Sequence, residues 1–315
     1  MLKIAFFGTP DFAVPSLKAL VERGYEIVGV FTQPDRLAGR GNKTVMPAVK
    51  RCALEYGLPV FQFEKIKSAE GVSALRKASP DLMVTAAFGQ LLSSELLSAA
   101  KYGCINVHAS LLPKYRGAAP IQWAVINGEK VTGITTMYTD IGLDTGDILL
   151  KDTLDILPDE TAGELFERLA LLGAQTLLRT LEQLENGTLV RTPQNEAEAS
   201  YFPLIRKEMA QIDFGKTAEE ICCFVRGMNP WPVAFAEAAG GKWKVYRAES
   251  SSLPRGNAKD GEIICADAKR GLHVACSGGA VRLCSVQAPG SRVMQDTEYL
   301  RGHAVACGEI MESAK

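Results

Sequence analysis

Asn106 and His108 stand two residues apart at the end of the run CINVH, and Asp144 stands in the acidic turn TDIGLDTGD, Thr139–Asp147. Residues two apart on an extended strand project from the same face. The Asn106 amide and the His108 imidazole therefore converge on one space, where their N–H groups can hold a developing oxyanion. A carboxylate brought there from Asp144 can serve as a base, the more so if burial raises its proton affinity. Each fragment also has a plainer reading, a capped strand end and a solvated turn. A calcium loop is excluded. Counting from Asp140, the third position is Gly142 and the twelfth is Lys151, where an EF-hand needs an oxygen ligand and a glutamate.

Three neighbouring stretches bear on the same chemistry. After His108 the chain runs ASLLPKYRGAAP, an apolar loop with proline, glycine and positive charge. FFGTPDF has one glycine after a strand, so it matches neither a dinucleotide fingerprint nor a Walker loop. QPDRLAGRGNKTVMP, Gln33–Pro47, is long for a connection between strand and helix and carries Arg36, Arg40 and Lys43 against Asp35. Its charge and its glycines predict a mobile loop suited to a phosphate backbone.

The elements that must position these residues alternate in type. KIAFF, EIVGVFT, DLMVTAA and CINVH read as strands. PSLKALVERG and PAVKRCALEYG read as helices between them, the first stopped by Gly24. This order predicts a parallel sheet covered by helices, with ligands beyond the carboxyl ends of its strands. GITTMYT is a further strand, and a long helix is expected over Ala162–Glu185. Asn186–Pro203 is rich in turn formers and reads as a linker. After one helix near Thr217–Arg226, short strand-like runs separated by glycine-rich turns predict a small all-β barrel. The expected division is a catalytic domain over 1–189, a linker over 190–206 and a C-terminal domain over 207–315.

Composition sets outer limits. The chain has 315 residues, a length suited to about two domains. With 47% hydrophobic and 23% charged residues it is an ordinary globular chain, and its net charge of −1 gives no global sign of a nucleic-acid partner. Residues 1–199 carry net −3 and residues 200–315 net +2, a bias compatible with nucleic acid in the second part. No apolar run is long enough to span a membrane, and the N-terminus enters a strand at once, which leaves no room for a leader. None of the eight cysteines forms a C-x-x-C pair, so free thiols in a reducing compartment are expected, without structural zinc.

Taken together, NVHASLLPKYRGAAPIQWAVINGE and GITTMYTDIGLDTGDIL resemble the signature of formyltransferases that use 10-formyltetrahydrofolate. The resemblance rests on Asn-x-His, SLLP, and the aspartate of a D-x-G-x-D-T-G turn about 36 residues after the histidine. FTQPDRLAGRG, RGAAPIQWA and FVRGMNPWPVAF are similar to the branch that acts on methionyl-tRNA, and Ala109 stands where glycine or proline is also common. The resemblance implies a Rossmann-like catalytic domain followed by a barrel of oligonucleotide-binding type. It implies catalysis by Asn106, His108 and Asp144, and a tetrahydrofolate site lined by Ser110, Leu111, Leu112 and Pro113. Arg40 and Lys43 would meet the tRNA. The cosubstrate would be 10-formyltetrahydrofolate without a metal, the partner initiator methionyl-tRNA, and the setting translation initiation in the cytoplasm by a monomer. Rival expectations are a formyltransferase for a small amine such as glycinamide ribonucleotide, a formyltetrahydrofolate hydrolase, a sugar-nucleotide formyltransferase and a non-catalytic RNA-binding protein. The C-terminal domain counts against the first, the basic loop against the second, the lack of a dehydrogenase domain against the third and the convergent triad against the last.

Overall fold

The computed structural model describes residues 1–38, 43–238 and 240–314. In chain order the elements of the first half are β1 (Lys3–Gly8), α1 (Val14–Glu22), β2 (Glu26–Thr32), β3 (Arg36–Ala38), β4 (Lys43–Val45), α2 (Ala48–Glu55), β5 (Val60–Gln62), α3 (Ala69–Ala78), β6 (Leu82–Ala86), α4 (Ser94–Leu97) and β7 (Cys104–His108). There follow β8 (Arg116–Gly117), α5 (Pro120–Ile126), β9 (Val131–Tyr138), β10 (Ile148–Asp155), α6 (Ala162–Glu185) and β11 (Tyr201–Phe202). The remainder holds α7 (Ala218–Gly227), β12 (Ala234–Ala238), β13 (Gly241–Ser251), β14 (Ile263–Asp267), β15 (Gly271–Cys276), β16 (Gly279–Gln287), β17 (Met294–Gln295) and α8 (Asp296–Gly302).

The chain folds into two compact units. The first comprises Met1–Gly117, Val131–Asp155 and Phe166–Phe202. The second takes Pro203–Lys315 together with Ala118–Lys130 and Ile156–Leu165.

In the first unit a seven-stranded sheet has the order β10-β9-β7-β6-β1-β2-β5. Strands β7, β6, β1, β2 and β5 are parallel, and all five residues of β6 are buried, as expected where helices cover both faces. Phe7, Phe31 and Phe61 are direct partners across β1, β2 and β5, and their rings stack at 4.6 and 5.0 Å. The sheet is not parallel throughout. β9 pairs antiparallel with β7, and TDIGLDTGD then reverses the chain so that β10 pairs antiparallel with β9. The strand order reverses at β1, so the carboxyl ends of β1, β6 and β7 flank the switch point where α/β sheets bind ligands. Behind β7, a Cβ added at Gly173 of α6 would lie 2.9 Å from Val107. The helix thus presses on the face of β7 opposite Asn106 and His108, and the missing side chain permits it.

The segment expected as a mobile loop at Gln33–Pro47 instead contains the antiparallel pair β3–β4. Arg36 makes two bonds to Glu64, at 2.9 and 2.6 Å. Lys50 bonds to Asp35 and holds its carboxyl below the usual carboxylate range, with Gln62 assisting. Arg40 lies outside the described residues. The Lys43 backbone opens β4.

The second unit packs α5 and α7 with an antiparallel sheet of order β12-β13-β16-β15-β14, to which β17 adds beside β16. Thr217 caps α7 in a reciprocal box with Glu220. A Cβ on Gly227 would meet Ile126 Cγ1 at 2.4 Å, so glycine permits the close approach of α5 and α7. Trp243, Val274, Val281, Leu283, Phe214 and Met311 are among the buried core residues. Among the described residues no helix is long and apolar enough to cross a membrane. None of the cysteines forms a disulfide.

Candidate functional site

β7 ends with Asn106 half-buried and His108 buried. Asn106 pairs in register with Thr85 of β6, and the Thr85 hydroxyl donates to Asn106 Oδ1 at 2.8 Å. That bond occupies the carbonyl side of the amide and points its NH₂ group away from Thr85. Sequence reading missed Thr85, because its role follows only from the register of two strands 21 residues apart.

His108 Nε2 lies 3.0 Å from the carbonyl oxygen of Tyr115. A carbonyl accepts only, so Nε2 carries a proton and the neutral ring leaves its lone pair on Nδ1. Nδ1 faces Asp144 Oδ2 at 3.7 Å. The separation exceeds a direct hydrogen bond. A shift of under about 1 Å would bring the two groups to hydrogen-bond distance.

Asp144 has φ +55°, a left-handed conformation that aspartate tolerates better than most residues. Its Oδ2 accepts from the Gly117 N–H at 2.7 Å. The turn around it is braced by Asp140, whose Oδ1 accepts from Gly142 N and Thr145 Oγ1. Arg191 pairs with Asp147 at 2.9 Å and lies 4.5 Å from the centroid of the Tyr138 ring. The structure thus brings together Asn106, His108 and Asp144, the three residues singled out in sequence. Cys104, on the same strand, is not a competing nucleophile, since burial pushes its thiol up to about 11.

Of the loop that follows, Ser110 and Leu112 are fully buried, Pro113 is buried and Leu111 is half-buried. The Ser110 hydroxyl donates to Lys114 O at 2.8 Å, and Thr135 Oγ1 ties Ser110 O to Leu112 N. Leu112 packs with Met137 and Ile148, and Leu111 covers Gly133 of β9. These residues set the shape of the loop, and Leu111 is the side chain most open to a ligand.

The site is closed by residues that sequence reading assigned to a linker. β11 pairs with β8 in parallel, and the Tyr115 and Arg116 N–H groups donate to Ser200. Arg116 is fully buried and bonds to Gln194, Glu196 and Tyr201. Its charge was visible in KYRGAAP, but nothing in the sequence marked its partners 78 to 85 residues away. Among the described residues no group of three or more His, Cys, Asp or Glu is arranged to hold a metal.

Comparison with known proteins gives two family matches along the chain. Residues 2–181 match the formyl transferase family, and residues 204–304 match the formyl transferase C-terminal domain. A methionyl-tRNA formyltransferase of Ruminiclostridium cellulolyticum is 50% identical over 311 residues, covering 98% of this chain and 99% of the relative. One of Acetivibrio thermocellus is 50% identical over 310 residues, covering 98% of this chain and 99% of the relative. Among solved structures, HypX from Aquifex aeolicus in complex with tetrahydrofolic acid superposes with a TM-score of 0.62 at 18% identity, over 95% of this chain and 47% of HypX. The sugar 3N-formyl transferase WlaRD, solved with dTDP and 5-N-formyl-THF, gives 0.65 at 18% identity, over 93% of this chain and 99% of its own. At that identity the two structures speak to the fold.

Proposed function

The chain belongs to the formyl transferase family, with the activity of a methionyl-tRNA formyltransferase, and from that premise we propose that Asn106, His108 and Asp144 carry the transfer. The formyl group passes from 10-formyltetrahydrofolate to the amino group of methionine on initiator tRNA. The observation that carries the assignment of residues is the buried Nδ1 of His108 facing Asp144 Oδ2 at 3.7 Å, beside an amide whose NH₂ is turned free by Thr85.

The neutral amine attacks the formyl carbon, and its lone pair forms the new C–N bond while the carbonyl oxygen takes up negative charge. Asn106 donates to that oxygen, and His108 adds a second donor when a proton stands on its Nδ1. The amine gives up one proton, through water, to the Asp144 carboxylate. Collapse of the intermediate breaks the bond to the folate nitrogen, which receives one proton, so the site ends as it began.

The remaining assignments belong to the same proposal. The SLLP loop shapes the folate site, mainly through Leu111. Arg40 and Lys43 contact the tRNA, and the C-terminal domain over 207–315 adds affinity for it. The enzyme works as a monomer in the cytoplasm, where initiator tRNA is charged. The test incubates the protein with labelled 10-formyltetrahydrofolate and either methionyl-tRNA or glycinamide ribonucleotide. Label on methionyl-tRNA, lost in Asp144→Asn, supports the proposal. Label on the small amine, or undiminished label with the variant, refutes it.

A further inference from the structure

Three consecutive residues hold the site from behind. Tyr115 O accepts from His108 Nε2, and Gly117 N donates to Asp144 Oδ2 at 2.7 Å. Between them Arg116 directs its whole guanidinium at the segment following α6. Nε and Nη2 donate to Gln194 Oε1 at 3.0 and 2.9 Å. Nη1 and Nη2 donate to the two Glu196 oxygens at 2.8 and 2.7 Å, and Nη1 donates to Tyr201 OH at 2.6 Å. Arginine has five N–H groups, and these bonds use all of them. A buried guanidinium is tolerated only when so paired.

Gln194 continues the chain of bonds towards Asp144. Its Nε2 donates to the carbonyl oxygens of Asp144 and Gly146, both at 2.8 Å. The carboxamide therefore faces two ways, receiving from Arg116 and giving to the backbone of the Asp144 turn. Asp144 is gripped at its carboxylate by Gly117 and at its carbonyl by Gln194, in a left-handed conformation that costs energy and persists because its surroundings enforce it. A tie serving only to anchor the segment would end at Arg116. This one runs on to the residue that faces His108.

We propose that Arg116 and Gln194 are positioning residues that fix the Asp144 carboxylate opposite His108 Nδ1, so that the 194–201 segment is part of the formyl-transfer machinery. The proposal rests on the assignment of Asp144 made above. Gln194→Glu separates its two sides. Glutamate still accepts from Arg116, but it turns a carboxylate oxygen towards the carbonyls of Asp144 and Gly146 and releases the turn.

The experiment measures steady-state formyl transfer to methionyl-tRNA by Gln194→Glu, Asp144→Asn, the double variant, and Glu196→Gln as a change at an exposed side chain. Gln194→Glu should lower kcat by about 10- to 100-fold, as for a group displaced by a fraction of an ångström, and leave KM for both substrates near wild type. In the Asp144→Asn background Gln194→Glu should cost little more, since it acts through Asp144. Glu196→Gln should lower kcat in the same direction and by less. Wild-type kcat in both Gln194→Glu and Glu196→Gln, or a Gln194→Glu loss that multiplies in full with that of Asp144→Asn, overturns the clamp. If Gln194→Glu does not fold, the Glu196→Gln result decides. An active Asp144→Asn enzyme would instead strike at the assignment of Asp144 itself.

Discussion

Each unit holds a buried histidine and an aspartate largely shielded from solvent, and the two units treat them differently. In the second unit His273 has both ring nitrogens occupied, Nδ1 by Ser251 Oγ at 2.7 Å and Nε2 by Arg270 O at 2.8 Å. Asp296 is likewise saturated. Its Oδ2 accepts from Leu272 N and Arg282 Nε, and its Oδ1 from Arg282 Nη2 and Thr297 N. In the first unit His108 satisfies one nitrogen and holds the other 3.7 Å from Asp144. The difference marks structure against function. A polar group whose every valence is met inside the protein has nothing left for a substrate, whereas a reacting group is fixed through one valence and left open at another. Asn106 follows the second pattern, with its carbonyl held by Thr85.

The largest expected effect comes from the two histidines. His108→Ala should lower kcat by about 10²–10⁴, or roughly 3–5 kcal/mol, with a smaller loss of melting temperature than His273→Ala. His273→Ala should do the reverse. Turnover and thermal unfolding of both variants measure this, and the comparison breaks if the two patterns coincide.

The next effect concerns the saturated aspartate. Asp296→Ala strands the Leu272 N–H and the Arg282 guanidinium, and should lower stability by about 2–3 kcal/mol while leaving the turnover of the folded fraction intact. Denaturant titration reads the first quantity and initial rates the second. A drop in kcat without loss of stability would place Asp296 on the wrong side of the contrast.

A smaller effect belongs to Thr85→Val, which keeps the shape of the side chain and removes the bond to Asn106. The amide remains but is free to turn, so kcat should fall by about 10-fold, less than losing an oxyanion donor outright. Unchanged kcat would show that Asn106 is held by other means or has no part in the step.

The smallest effect is a dependence on acidity. The Arg116 hydrogen bond holds the Glu196 carboxyl below the usual glutamate range. A carboxyl lowered by folding contributes stability above its unfolded value, and that contribution is lost as pH falls through the lowered folded value. The difference in melting temperature between wild type and Glu196→Gln should be present at neutral pH, begin to shrink near about pH 4 and disappear below the lowered folded value. It should be small because Glu196 is 67% exposed. A difference that grows in acid would contradict the pairing.

Much of the site could be read from the sequence because it is local. Asn106 and His108 share a face through the two-residue period of a strand, and Asp144 lies in a turn whose glycines and aspartates declare a reversal. The strands and the long helix Ala162–Glu185 were legible for the same reason. What escaped depends on contacts between distant segments. Asn186–Pro203 has the composition of a connector, yet Gln194, Glu196, Ser200 and Tyr201 bond to the 115–117 turn. Pro120–Ile126 sits between two strands of the first unit but packs with α7, where Gln122 donates to Trp231 O and Trp123 to Pro203 O. Cutting the chain after Pro203 would therefore strip α5 of its core partners.

The most direct test of the central claim is the single-turnover rate of formyl transfer to methionyl-tRNA by Asp144→Asn, measured with enzyme in excess and with folding checked by circular dichroism. Asparagine keeps an oxygen for the Gly117 N–H and removes the base opposite His108 Nδ1. The account predicts a rate lower by about 10²–10⁴ in a protein with wild-type structure and melting temperature. A folded variant that transfers the formyl group within about twofold of the wild-type rate would contradict it, because so small a change in barrier height is far below what loss of an acid–base group costs.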